Sequence, residues 1–239
     1  MLRNFFISFS IFLLFCQIAF SGAGSSTQIF RGESRLKDGS PYFKEVTTAQ
    51  FKNGRLENSV TKYYSNDDQL KAELNSDFSK SDLLPDTAFI DFRDNYQYTS
   101  KINVEQKRID LSTKENEKSE WKRSNLKYSD HSMLFQGLIK YIGQQKAQLK
   151  DKKTLEVELI IPSRFDAVNV LLEPLAANIE KDDDIKIKVK AKSALVRMIM
   201  AETILTFDSS LNKILKFEGN HPLLDSNDKS QKVTIKYKY

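Results

Sequence analysis

Residues 42–64 read YFKEVTTAQFKNGRLENSVTKYY, and this stretch decides the fold. Tyr42–Phe51 and Leu56–Tyr64 each alternate with period two, as half-buried strands do. Asn53-Gly54 between them supplies the positive φ values of a two-residue hairpin turn. Outward from that hairpin the pattern repeats. Ile29–Leu36 precedes it and ends at Lys37-Asp38-Gly39-Ser40-Pro41; Leu70–Phe78 follows it after Ser65-Asn66-Asp67-Asp68. Short polar turns between neighbouring runs mean antiparallel pairing, because parallel strands need long crossovers.

The same reading continues through Ala88–Arg93, Tyr96–Val104, Lys107–Ser112 and Glu120–Tyr128. A helix is expected between Asp130 and Leu149, where Leu134, Leu138, Tyr141, Ile142 and Leu149 fall at helical spacing. Ser129 or Asp130 is its expected N-cap, and the basic stretch Lys146–Lys153 suits the negative end of its dipole. Strands resume at Leu155–Ile161, Phe165–Leu172, Ile185–Val189, Ile204–Phe207, Ile214–Phe217 and Val233–Tyr239. Ala194–Ala201 reads equally as a short helix or a strand. The expected fold is mainly β (α+β): a curved antiparallel sheet or half-barrel meander, with the 130–150 helix packed on its concave face. No repeat or low-complexity linker divides the chain, so residues 24–239 form one expected domain.

The chain of 239 residues opens differently. Residues 1–21 carry Arg3, then an apolar run from Phe5, then the small residues Ala19 and Ser21, which is the order of a secretory signal peptide. Cleavage after Ser21 or after Ala23 satisfies the small-residue rule. An uncleaved anchor fits less well, because the run stops at Phe20 and Gln17 interrupts it, short of about 20 apolar residues. Lipidation at Cys16 is disfavoured by Phe15 at the preceding position. Loss of Arg3 lowers the formal charge from +5 to +4, and loss of Cys16 leaves no cysteine. With no Asn-x-Ser/Thr sequon either, the expected location is the bacterial periplasm, and the domain must stand on its apolar core rather than on disulfides.

The C-terminal stretch Leu205-Thr206-Phe207-Asp208, Ile214–Gly219 with its Phe217-Glu218-Gly219, and Val233–Tyr237 resembles the ending of an uncharacterised family of exported bacterial proteins. The Phe135-Gln136-Gly137 step is similar to that family as well. The resemblance implies a plan similar, at the level of fold, to the periplasmic lipoprotein-carrier proteins, in which a curved sheet wraps an apolar cavity plugged by helices. It supplies no catalytic residue.

Enzyme chemistry finds little support. Two histidines, His131 and His221, and no cysteine in the exported part leave no zinc pattern, and no phosphate-cradling glycine loop occurs. His131 is expected at a helix start and His221 in a loop beside Pro222, in surface or capping roles. Asp182-Asp183-Asp184 lacks the spacing and glycine of a calcium loop and reads as a solvated turn. Glu156 and Glu158 read as the wet side of a strand.

The lysines of Lys186, Lys188 and Lys190 alternate with Ile185, Ile187 and Val189. They face either an anionic envelope surface or plain solvent. The small, interspersed charge does not by itself imply nucleic acid, and none is expected as a partner. The leading expectation is a non-enzymatic protein without cofactor or metal that holds a lipid or a lipidated partner. Its expected lining is Leu134, Leu138, Ile142, Leu159 and Ile161. The alternatives are an envelope interaction module without a ligand cavity and an enzyme of unrecognised type.

Overall fold

In the computed structural model the described residues are 24–239 except 176–183, 199, 226 and 228. The expected signal segment with Cys16, and Asp182-Asp183 of the acidic run, lie outside them. Among the described residues fifteen strands form one sheet. They are β1 (Ser25–Leu36), β2 (Pro41–Lys52), β3 (Arg55–Tyr64), β4 (Leu70–Asp77), β5 (Asp86–Asp91), β6 (Tyr96–Asn103), β7 (Arg108–Lys114) and β8 (Lys122–Lys127). Then come β9 (Ser132–Met133), β10 (Leu155–Ile161), β11 (Asp166–Pro174), β12 (Ile185–Ala191), β13 (Thr203–Phe207), β14 (Ile214–Leu224) and β15 (Ser230–Lys238). Helices are α1 (Phe135–Gln144), α2 (Lys146–Lys150) and the single turn α3 (Ala194–Arg197).

The spatial order is β8-β7-β6-β5-β4-β3-β2-β1-β15-β14-β13-β12-β11-β10-β9. The chain starts in the middle of the sheet and meanders to one edge. It then crosses over through the helices to the other edge and meanders back, until β15 pairs antiparallel with β1. Among the described residues only β9 and β10 pair in parallel. Asn53 and Gly54 take φ values of 53° and 75°, the left-handed pair that a tight hairpin turn requires.

The sheet does not close, since β8 and β9 are its two edges. Side chains bridge the gap instead. Leu84, Ile102, Ile109 and Leu111 pack with Leu134 and Ile160, and the 3-10 turn Pro162–Arg164 lies against β6 and β7. The main core fills the rest of the concave side, with Tyr63, Phe78, Phe207 and Phe217 among its largest fully buried side chains.

The expected 130–150 helix is shorter than its pattern. Ser132 and Met133 pair with Glu158 and Leu159, so the chain is extended there. The Ser129 hydroxyl accepts from His131 N (3.2 Å) and Ser129 N donates to Ser132 Oγ (2.8 Å), which commits both serines to a turn. The N-cap is therefore Leu134, with no side-chain cap, and the helix breaks at Gln145 between α1 and α2. Residues 194–201, ambiguous in sequence, contain α3 and, among the described residues, no strand.

Strand registers place loops 78–85 and 208–213 at one end of the curved sheet, and α1 lies across that end. Leu134 N donates to Leu83 O (3.0 Å), and a Cβ at Gly137 would sit 2.1 Å from the same oxygen. Glycine is thus the residue that lets the helix touch the loop backbone. Gly137→Ala must push helix and loop apart, so it is expected to cost about 3 kcal/mol or more. Urea unfolding of the variant measures this; a change below about 1 kcal/mol would mean that α1 is not seated on that loop.

Candidate functional site

The five expected lining residues all lie in the buried core, divided between two clusters. Leu138, Ile142, Leu159 and Ile161 belong to the main cluster, whereas Leu134 belongs to the cluster that bridges the sheet edges. All are buried. The helix that carries three of them as its cap and interior is weak by itself. It holds Gly137 and Gly143 within ten residues, has no side-chain N-cap, no acid in its first turn and no base in its last. Burial of Leu138, Ile139 and Ile142 holds it in place, at about 1.5–3 kcal/mol for each side chain.

The opposite end of the sheet carries turns 37–40, 65–69, 92–95 and 225–229. There β14 bulges between Asn220 and Leu224 and turns inward. His221 becomes wholly buried rather than the surface loop residue its Pro222 neighbour implies. Its ring stacks on Phe43 at 5.2 Å and 15°, and Nδ1 accepts from Leu223 N (3.1 Å), which leaves the proton on Nε2. Tyr42 Oη donates to Leu223 O (3.3 Å) and Arg93 Nη1 to Leu224 O (2.6 Å). Arg93 is itself gripped by the buried Asp91 at 2.8 and 2.6 Å. Burial pushes His221 down to about 3.

A third buried group went unnoticed in the sequence. Glu45 on β2 pairs across to Gly32 on β1 and Tyr63 on β3, and Gly32 pairs with Tyr237 on β15. The Tyr237 ring covers Gly32, where a Cβ would meet Tyr237 Cε1 and Glu45 Cγ, each at 2.7 Å. Neither carboxyl oxygen of Glu45, nor the Tyr237 hydroxyl, has a hydrogen-bond partner of full geometry among the described residues. Burial raises the Glu45 carboxyl to about 8, and the nearby Tyr237 hydroxyl lowers it only in part. Glu45 is therefore held as a neutral acid at pH 7. The signal was present: Glu45 shares the inward parity of Phe43, Thr47, Ala49 and Phe51.

The lysine stripe is largely neutralised by neighbours. Lys188 lies 3.6 Å from Glu202, Lys190 lies 2.7 Å from Glu173, and the next base, Lys192, lies 2.7 Å from Glu156. Lys186 is exposed. Glu158, expected on the wet face, accepts from the Ser132 hydroxyl across the β9–β10 pair. A depression of ≈ 310 Å³ lies on strands β3–β6 around Val60, Ala88 and Thr99, and none of the five expected lining residues borders it. Among the described residues no three His, Cys, Asp or Glu side chains converge as a metal site requires.

These features define the class: an open, barrel-like antiparallel β protein plugged at both ends. No protein-family model and no curated protein matches the chain. Among solved structures it is similar to a β-barrel-like protein of a domain of unknown function, DUF1849, from Brucella abortus. The identity is 10% and the TM-score 0.41, over 89% of this chain and 96% of that one.

Two buried titratable groups, Glu45 and His221, make opposite demands on pH. The Glu45 carboxyl titrates near 4.5 unfolded and about 8 folded, so its contribution is full below pH 4.5 and is lost as pH rises towards 8. His221 titrates near 6.5 unfolded and about 3 folded, so its contribution is full above pH 6.5 and is lost as pH falls towards 3. Each swing is at most about 5 kcal/mol. Between pH 4.5 and 6.5 the two slopes cancel. Urea midpoints are expected to be flat across that window and to fall on both sides. Glu45→Gln should remove the alkaline decline and make stability rise with pH inside the window. A variant with the parent's pH profile would place Glu45 in contact with water or a cation.

Proposed function

We propose that the protein is a non-enzymatic binding protein of the bacterial periplasm, which holds an acyl chain or a lipidated partner on the concave side of its sheet. The observation that carries this reading is α1: an intrinsically weak helix kept at the mouth of an apolar interior mainly by burial of Phe135, Leu138, Ile139 and Ile142. A flexible hydrocarbon chain offers Leu159 and Ile161 the same contacts, worth roughly 0.8 kcal/mol per buried CH₂. It would displace α1 from the mouth, with Leu134 at the hinge between β9 and the helix. The signal-peptide pattern of residues 1–21 and the resemblance to exported bacterial proteins support the location. An anionic envelope surface is a weaker partner. To face it fully, Lys188 and Lys190 must first give up Glu202 and Glu173, whereas Lys186 is exposed and has no ion pair among the described residues.

Native mass spectrometry of the exported chain purified from periplasm is expected to show acyl-bearing adducts that organic extraction removes. Leu138→Ala is expected to lower the stability of the ligand-free protein by about 2–5 kcal/mol. The same change should tighten saturable binding of a fluorescent fatty acid, because the competing plug is weaker. A bare protein that binds no probe, in parent and variant alike, would reduce these residues to a closed core.

A further inference from the structure

Eight large apolar side chains are exposed among the described residues, and five of them gather at the His221 end. Leu70 opens β4, Phe92 follows β5, Trp121 precedes β8, and Leu195 and Met198 project from the β12–β13 loop at 77% and 83% exposure. These are four separate loops. Three belong to successive hairpins, and the fourth lies on the other half of the sheet. They outline a rim rather than a groove.

Each tip has a base within two residues: Lys71 beside Leu70, Arg93 beside Phe92, Lys122 and Arg123 beside Trp121, and Arg197 between Leu195 and Met198. The β12–β13 loop is built to hold its tips outward. Arg197 Nη1 donates to the carbonyls of Ala191 (3.3 Å) and Lys192 (3.1 Å), Met200 N donates to Val196 O (2.8 Å), and Met200 is buried. Leu195 and Met198 are left facing water.

We propose that this rim is a docking surface for a phospholipid bilayer, with the apolar tips entering the headgroup–acyl boundary and the flanking bases meeting lipid phosphates. Tips on several loops around one end match a deformable plane, whereas a folded partner would need a shaped patch to fit them. Tryptophan, phenylalanine and leucine beside lysine or arginine is the chemistry of interfacial anchoring. Charge plays the lesser part, because Arg93 is bound by Asp91 and Lys122 by Glu115. Insertion therefore carries the binding, and anionic lipid strengthens it modestly. The proposal is independent of acyl-chain binding inside the sheet.

Trp121 is the single tryptophan of the chain, so it reports the rim directly. The exported chain is mixed with vesicles of phosphatidylcholine, and separately of phosphatidylethanolamine with phosphatidylglycerol. The protein is expected to float with both. Trp121 emission should shift to the blue and be quenched by lipids brominated on the acyl chain, and physiological salt should weaken binding to the anionic vesicles by only a few-fold. Leu195→Ser with Met198→Ser should weaken partitioning about ten-fold or more with unchanged unfolding midpoint. Val104→Ser, an exposed position at the α1 end, should leave it unchanged. Absence of flotation and of the Trp121 shift in the folded parent chain overturns the proposal. So does flotation that survives the Leu195/Met198 double variant or is lost with Val104→Ser.

Discussion

The pairing of β1 with β15 is the contact on which the rest of the molecule depends. Strands β1–β8 form one meander and β9–β15 another, and these two strands alone join them into a single sheet. The register runs from Arg31 opposite Lys238 to Leu36 opposite Val233, so the first and last strands are neighbours at the centre. Every other antiparallel pair is local, made by a hairpin or a short connection. This one spans the whole described chain, and its closure entropy is met only when both meanders exist. Gly32 lies at the junction, and the Tyr237 ring folds over it onto Glu45. A side chain at 32 would collide with both, so the junction sits as close as backbone allows.

An open sheet of this length leaves two ends and one gap to fill, and each is filled by a different device. The gap takes aliphatic side chains, the α1 end takes a helix, and the other end takes a bulged strand with a buried histidine. The devices differ in strength. His221, Tyr42 and Arg93 tie their end with hydrogen bonds to the β14 backbone and with a stacked ring. The α1 plug has one backbone bond from its cap to Leu83 and a long ion pair from Lys140 to Asp82 (4.0 Å), and otherwise depends mainly on burial. Hydrogen bonds fix a geometry, whereas apolar burial accepts any filler of similar shape. The asymmetry favours exchange at the α1 end and permanence at the His221 end.

Strands were legible because each obeys local rules: alternation along β2 and β3, and Asn53-Gly54 between them. The overlong helix shows where local rules fail. Met133 and Leu134 fit the helical stripe, but the pairing of Ser132 and Met133 with β10 decides their conformation, and that is a contact across 26 residues. His221 was hidden for a related reason. Pro222 marks a break in a regular ladder, and a bulge satisfies that break as well as a loop does. Glu45 was legible and passed over: an acid in phase with Phe43 and Phe51 on one strand face is an acid in the core. The β1–β15 junction had no local signal, since nothing in either strand names its partner.

The surface divides in the same way as the interior. On the open face of β10–β13, lysines and glutamates of different strands neutralise one another, with Lys190 on Glu173 of the adjacent strand and Lys192 reaching across β11 to Glu156. Such cross-strand pairs contribute a few tenths of a kcal/mol and keep the face wet and unattractive to other sheets. A stripe that looks like a polyanion site in one strand is half of a balanced surface once its neighbours are placed. The exposed Leu195 and Met198 take no part in such a balance. Leu195 and Met198 gain nothing for the fold by standing in water, and Val196 and Met200 beside them show that the same loop can bury what it needs. A loop that anchors two apolar residues and exposes two others is shaped by something outside the core.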